Sequence, residues 1–274
     1  MAGLRELKKH LSSVQMTGQM AGAMKTASTA KFARLNRSLT KFSAYADACA
    51  ALRARLGAAL AGAYPAKDPS APPCFVVLGA NRGLCGGYNL QLYEFVEAAL
   101  AAEPGARLVA AGQHAIAHFR ERGPALSAEF VLPDVPAAAD CAALLDYLTE
   151  QFTAGACCRV EIFWQRFDNM LTQTPSRQTL LPLAAETAAP VSLLLLPDRA
   201  AAVSRAAAAC LTADLTARVL EAAAGCQAAT MIAMRAALEN AEESAASLGA
   251  DISRRRQSEV TASVIETAGQ NNNR

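Results

Sequence analysis

The chain has 274 residues, 53% of them hydrophobic but only 5% aromatic, and a formal net charge of +2. Alanine inflates the apolar share, the length allows one or two domains with a real core, and the charge gives no support to a nucleic-acid polyanion binder. No uncharged apolar run approaches the roughly 20 residues of a spanning helix; the longest, Val191 to Leu196, fits a buried strand.

The opening residues carry no signal-peptide apolar core, and Glu6 argues against a transit peptide, so a bacterial-type cytosolic chain is expected. Residues 3 to about 60 read as one long helix. With Leu4 as heptad position a, the a series is Leu4, Leu11, Gly18, Lys25, Phe32, Leu39 and Ala46. The d series is Leu7, Val14, Ala21, Ser28, Leu35, Phe42, Cys49 and Leu56. This register runs without a slip, which marks a coiled-coil seam. Between Gly18 and Ser28 the seam thins, and the large apolar residues sit at Met16, Met20 and Met24. Such a window is either a close approach of two backbones or a contact zone with a third body, for which flexible methionines are suited.

The helix is expected to end near Gly62, followed by a proline-rich linker from Tyr64 to Pro73. Periodicity then changes. Cys74–Leu78, Arg107–Ala111, Glu129–Leu132, Cys157–Trp164, Gln178–Leu183 and Val191–Leu196 read as strands. Helices are expected over Tyr88–Ala102, Gln113–Arg122 and Asp140–Phe152. Strands alternating with helices imply a mostly parallel sheet covered on both faces. A short helix from Asp198 should hand over to a proline-free run from about Leu211 to Ala268. There, Met231, Met234, Leu238, Ala241, Ala245, Leu248 and Ile252 repeat every 3.5 residues, the second seam. At 1.5 Å per residue that helix would be about 85 Å long and needs a partner along its length.

The expected fold class is therefore α/β: a Rossmann-like α/β domain (74–197) inserted between a helix over 1–62 and a helix over 209–270. The two helices wrap on each other as a long antiparallel coiled coil.

Candidate chemistry is sparse. Ala80–Asn89 is glycine-rich and sits between a strand and a helix, where α/β folds cradle phosphate. Its spacing matches neither G-x-G-x-x-G nor a P-loop, so tight packing is the plainer reading. Cys85 stands beside Arg82 near a helix start, which can lower a thiol pKa, though a buried inert thiol explains it equally. Eight scattered cysteines without CxxC spacing suggest reduced thiols, not a zinc site or disulfide framework. His114 and His118 lie one helical turn apart but lack the glutamate of a zinc-protease motif. Arg254–Arg256, with lysines on the first helix, form basic faces suited to acidic loops of a partner.

Several segments resemble, in order, the gamma subunit of F-type ATP synthases. These are Leu11–Met20 with Ala23, Met24 and Lys25; Asn81–Asn89; Phe167–Pro175 with Leu180–Pro182; and Met231–Ala237 with Asn240, Arg256, Gln257 and Thr261. The resemblance implies a rotor shaft whose terminal helices turn inside a ring of alpha and beta subunits, with epsilon and the membrane c-ring as further partners. It implies no catalytic, metal or cofactor site in this chain, and a peripheral place on the cytoplasmic face of the bacterial cell membrane. Carried over by position, the partner-binding residues are Met24, Lys25, Arg256, Gln257 and Thr261. The chain departs from the family pattern at Asn81, where an acid is usual, and at Gly225, Cys226 and Thr230, where Ser, Glu and Arg are usual. It also ends in a polar Gln270–Arg274 tail and lacks the cysteine insertion of chloroplast members. A nucleotide-binding α/β enzyme and a coiled-coil adaptor are the rival readings.

Overall fold

The computed structural model describes residues 2–183 and 198–271. Ser28–Thr230 form one compact unit, and Met1–Ala27 with Met231–Arg274 form the other. The first helix, α1 (Ala2–Leu56), and the last, α6 (Arg199–Asn271), each contribute to both. The expected strand at Val191–Leu196 lies outside the described residues.

In the larger unit the proline-free helix α1 stops at Leu56 because Gly57 takes φ +42°, and a short helix α2 (Ala58–Ala63) follows. The chain then reaches β1 (Cys74–Leu78), α3 (Tyr88–Ala102), β2 (Arg107–Ala111), α4 (Gln113–Arg122) and β3 (Leu126–Phe130). A 3₁₀ turn (Ala138–Cys141) leads into α5 (Ala142–Thr153), then β4 (Val160–Phe167) and β5 (Gln173–Leu181). The sheet order is β3-β2-β1-β4-β5. All neighbours are parallel except β4 and β5, which form an antiparallel hairpin. Pro175 sits in β5, the last strand of the sheet among the described residues, where proline is tolerated.

Several boundaries differ from the sequence expectation. The helix expected to run to near Gly62 breaks at Gly57 into α1 and α2, and the strand expected over Gln178–Leu183 is β5, Gln173–Leu181, set by its hairpin with β4. β3 starts at Leu126, not Glu129, because its register follows β2 and ends where Ala111 pairs with Phe130. β4 starts at Val160, since Cys158 N–H donates to Pro72 O and Arg159 O accepts from Cys74 N–H in the connection before it. The short helix foreseen from Asp198 is no separate element. Asp198 Oδ1 accepts from Ala201 N–H, and the alanine-rich chain continues as one helix to Asn271.

Side chains of β1 alternate between two cores, as the pleat requires. Phe75 and Val77 pack with Leu92, Val96, Ile116 and Phe119 under α3 and α4. Val76 and Leu78 face Leu144, Leu148 and Phe152 of α5, with Leu56 of α1 and Leu211 and Leu215 of α6. In this unit α1 and α6 run antiparallel: Leu35 packs on Leu220 and Ala224, while Cys210 Sγ donates to Cys49 O. Arg53 and Asp214 form an ion pair between the same helices.

In the smaller unit α1 and α6 also run antiparallel, with Gly18 against Ala241 and Leu238, and Gly3 against Arg255. Met234 and Ala241 are buried, and Leu238, Ala245, Leu248 and Ile252 are half-buried between exposed neighbours. Opposite them, Gly18 and Ala21 are buried and Leu4, Leu7, Leu11 and Val14 half-buried. The heptads foreseen on both helices are thus the positions withdrawn from water.

Lys31 Nζ donates to Asp134 Oδ2 at 2.5 Å, and Asn81 Nδ2 donates to Asp134 Oδ1 at 3.1 Å. This network ties α1 to the loops after β1 and β3. Burial opposes ionisation of Asp134, but the Lys31 and Asn81 donors outweigh it and hold the carboxyl below its ordinary value. A lowered folded pKa stabilises the fold above the ordinary carboxylate value, and that contribution is lost as pH falls through the lowered one. The melting temperature should therefore drop on acidification below about pH 4 more steeply in the native chain than in Asp134→Asn; parallel slopes in a thermal-melt series would contradict this. Leu35→Ala, at a site with no exposure, should cost about 2–5 kcal/mol in denaturant unfolding.

Candidate partner-binding surface

Among the five residues carried over by resemblance, Met24 and Lys25 lie on α1 and are half-buried, whereas Arg256, Gln257 and Thr261 lie on α6 and are exposed. Thr261 Oγ1 donates back to Gln257 O at 2.9 Å, so these two share a face of α6. The register fixed by Gly18 and Ala241 places Met24 across from about residue 235. Arg256 is then some 30 Å further along α6, at 1.5 Å per residue. The five residues are two separate patches, not one site.

The α1 patch owes its form to small residues. A Cβ on Gly18 would meet the Ala241 Cβ at 3.2 Å, so this glycine permits close approach of the helices. A Cβ on Gly22 would meet nothing within 4 Å. With Val14, Leu238 and Glu242 the two glycines line a shallow groove of about 570 Å³. Met16 and Met20, each 61% exposed, stand on α1 beside it.

The α6 patch follows from a difference in length. Gly3 already faces Arg255, yet α6 continues to Asn271. Its last four turns or so have no α1 residue opposite them among the described residues. Val260, Val264 and Ile265 are 56%, 61% and 67% exposed there, just beyond Arg254, Arg255 and Arg256. A single helix displaying an apolar i, i+4 pair gains little stability alone and suits a partner's groove. The sequence reading missed this stripe, although the signal was present: the seam stops at Ile252 while helix-forming residues continue.

The glycine-rich loop lies where an α/β fold takes ligands, outside the carboxyl ends of β1 and β2. That crevice is filled from α6. Val219, Ala222, Ala223 and Cys226 meet Gly79, Asn81 and Asp134 around a cavity of about 50 Å³. Such a volume holds a water or two, not a nucleotide. Tyr88 Oη donates to Ala222 O at 2.6 Å, and Gly225 approaches the Tyr88 ring within what a Cβ would bring to 3.3 Å. In the loop itself Gly86 serves the turn, at φ +59°, while a Cβ on Gly83 or Gly87 would meet only ordinary contacts. His114 and His118 flank the buried Tyr93, with His114 Nδ1 3.1 Å from its hydroxyl and His118 Nε2 2.8 Å from Glu97. No cluster of three metal-ligating side chains occurs among the described residues.

Comparison with known proteins places these features in context. The family described as ATP synthase matches residues 3–270. The ATP synthase gamma chain of Desulforamulus reducens is 27% identical over 98% of each chain. That of Opitutus terrae is 26% identical over 98% of this chain and 97% of its own. Among solved structures, the rotor of the Euglena gracilis mitochondrial ATP synthase in rotational state 1 aligns with a TM-score of 0.66 at 16% identity, covering 94% of this chain and 99% of its own. A central-stalk chain of the Tetrahymena thermophila mitochondrial ATP synthase also gives 0.66, at 18% identity, covering 80% and 99%. At those identities the structural matches speak to the fold.

The two glycines of the α1 groove make opposite forecasts. Gly22→Ala, in open space, should stabilise α1 by up to about 1 kcal/mol. Gly18→Val, against Ala241, should destabilise by about 1–3 kcal/mol through overpacking. Denaturant titrations of the two variants check both signs.

Proposed function

The chain belongs to the ATP synthase gamma-chain family, and on that premise we propose that it serves as the central rotor shaft of an F-type ATP synthase. In that role it couples rotation of a membrane c-ring to conformational change in a ring of alpha and beta subunits. The observation that carries this reading is the match over residues 3–270, which spans both terminal helices, joined to the antiparallel pairing of α1 and α6 within each unit. The partners proposed are the alpha and beta subunits along the paired helices, with the epsilon subunit and c-ring as further contacts. The chain itself performs no nucleotide chemistry in this reading, since α6 occupies the crevice a nucleotide would need. It sits peripherally at the cytoplasmic face of a bacterial membrane, consistent with helices none of which is long and apolar enough to span one among the described residues.

The mechanism follows from symmetry. One chain cannot present the same surface to three identical subunits. Around the paired helices of the smaller unit the chemistry differs by side: thioethers at Met16 and Met20 on α1, guanidinium groups at Arg254 and Arg256 on α6. Each ring subunit meets a different contact, and its open or closed state is biased by the difference in contact free energy. Turning the shaft by a third of a circle hands each bias to the next subunit. Met24, Lys25, Arg256, Gln257 and Thr261 are the proposed ring contacts, joined by the apolar stripe Val260, Val264 and Ile265.

Reconstitution with alpha and beta subunits tests this. The chain should co-purify with a six-membered ring, and Met24→Ala or Gln257→Leu should lower the ATPase of the assembled complex severalfold, a barrier increase of about 1 kcal/mol. Failure to join a ring, together with ATPase indifferent to both substitutions, refutes the shaft. Micromolar binding of ATP or NAD to the isolated chain would instead favour the enzyme reading.

A further inference from the structure

The chain has seven methionines, and the helix seam sorts them. Met234 is buried in the helix pair at 6% exposure. Met24 and Met231 are half-buried. Met16 and Met20 are each 61% exposed, and Met170, between β4 and β5, is 42% exposed. Met1 lies outside the described residues.

Met16 and Met20 differ from Met170 in standing as a pair. Four residues apart on one helix, they share a face, with Cβ atoms about 5–6 Å apart. On this stretch of α1 the seam is supplied by Val14, Gly18 and Ala21, which are buried or half-buried. Gln15, Gln19, Gly18 and Gly22 line the groove, and the two thioethers stand outside it. Packing of the helix pair therefore depends on neither sulfur. The consequences of oxidation differ accordingly. A sulfoxide at Met234 would force a polar oxygen into the seam, where no water or donor waits for it. A sulfoxide at Met16 or Met20 projects into solvent. Oxidation there changes the chemistry of a surface and leaves the contacts that hold the helices untouched.

We propose that Met16 and Met20 form a reversible sulfoxidation site that turns one face of α1 from apolar to polar without unfolding the helix pair. The oxidant is a hydroperoxide, with hydrogen peroxide the simplest, and the reductant is a dithiol enzyme of the methionine sulfoxide reductase class. The thioether sulfur attacks one peroxide oxygen: an S–O bond forms and the O–O bond breaks. The departing hydroxide takes the proton of the new S–OH group, leaving one sulfoxide and one water. Sulfur gives up two electrons and the peroxide gains them. In the return step two thiols supply two electrons and two protons, the S–O bond breaks, water leaves and one disulfide forms. The oxidised sulfur is a stereocentre, so full reversal takes two reductases, one for each epimer. This chemistry is a property of the chain itself and is independent of the rotor reading.

The test is a time course of the full chain in hydrogen peroxide, read by tryptic digestion and mass spectrometry. Met16, Met20 and Met24 share the peptide from His10 to Lys25, so fragmentation ranks the three within one molecule. Met16 and Met20 should oxidise faster than Met24 and about tenfold faster than Met234, and the ratios should vanish in guanidinium-unfolded chain. Once both carry an oxygen, the melting midpoint should have moved by less than about 2 °C, as for a change on an exposed helix face. The two reductases together should restore the starting mass. Equal rates at Met16, Met20 and Met234 in the folded chain, unfolding on oxidation of Met16 and Met20, or sulfoxides that the reductases leave in place would each overturn the proposal. Met234→Leu, a swap of similar volume, removes the seam thioether and so separates unfolding that starts at Met16 and Met20 from slow oxidation in the seam.

Discussion

Everything in this molecule depends on one narrow seam between its first and last helices. A helix of the length of α6 is not held by its own backbone hydrogen bonds; most helical stability in proteins comes from packing an apolar face. The apolar face available here is thin. In the smaller unit it consists of Gly18, Ala21, Met234 and Ala241, with half-buried leucines on either side. Small residues let the backbones approach, so stability comes from close contact along many turns and not from large side chains. The consequence is that most of each helix surface remains outside the seam, free to carry chemistry chosen for something other than folding.

In the larger unit the same two helices close an α/β sheet. α6 takes up the crevice where folds of this kind hold phosphate, and it is fastened there by polar contacts. Trp164 Nε1 donates to Glu221 Oε2 at 3.1 Å, and Phe167 N–H donates to Glu221 Oε1 at 3.1 Å. On the other side, Lys31 links α1 to Asp134. A parallel sheet with a glycine-rich loop after its first strand is thus turned into a mount for two helices. The fold alone would have suggested a ligand site; the filled crevice argues against one.

The architecture was legible because long periodic segments leave strong marks. The heptads of both helices, β1, β2, α3 and α4 were read at the residues they occupy, since each is bounded by proline, glycine or a change of period. Boundaries set by pairing were not legible: the start of β3 depends on the length of β2, and that of β4 on hydrogen bonds to Pro72 and Cys74. The antiparallel sense of β5 depends on a tight hairpin at Asn169–Thr172, where Asn169 Oδ1 accepts from Leu171 and Thr172 N–H. Of the proposed contact surface, Met24 and Gln257 were reached only by resemblance. The stripe at Val260 and Val264 was visible in the pattern, but its exposure required knowing that α1 runs out opposite Arg255.

Separation of the two patches has a mechanical meaning under the rotor reading. A contact at one level of a shaft resists sliding but leaves the shaft free to tilt about that level. Contacts at two levels, here some 30 Å apart by helical rise, convert tilt into compression at one patch and extension at the other. Packed side chains resist such displacement because interiors are dense and gaps are costly. The half-buried Met24 and Lys25 and the exposed Arg256, Gln257 and Thr261 are then not alternatives for a single site. Each set supplies what the other lacks: flexible, soft contacts beside a groove at one level, and charge with a bare apolar stripe at the other. Within the smaller unit both levels ride on the same two helices, which is why, under the rotor reading, the seam and not either patch is the element whose failure would decouple them.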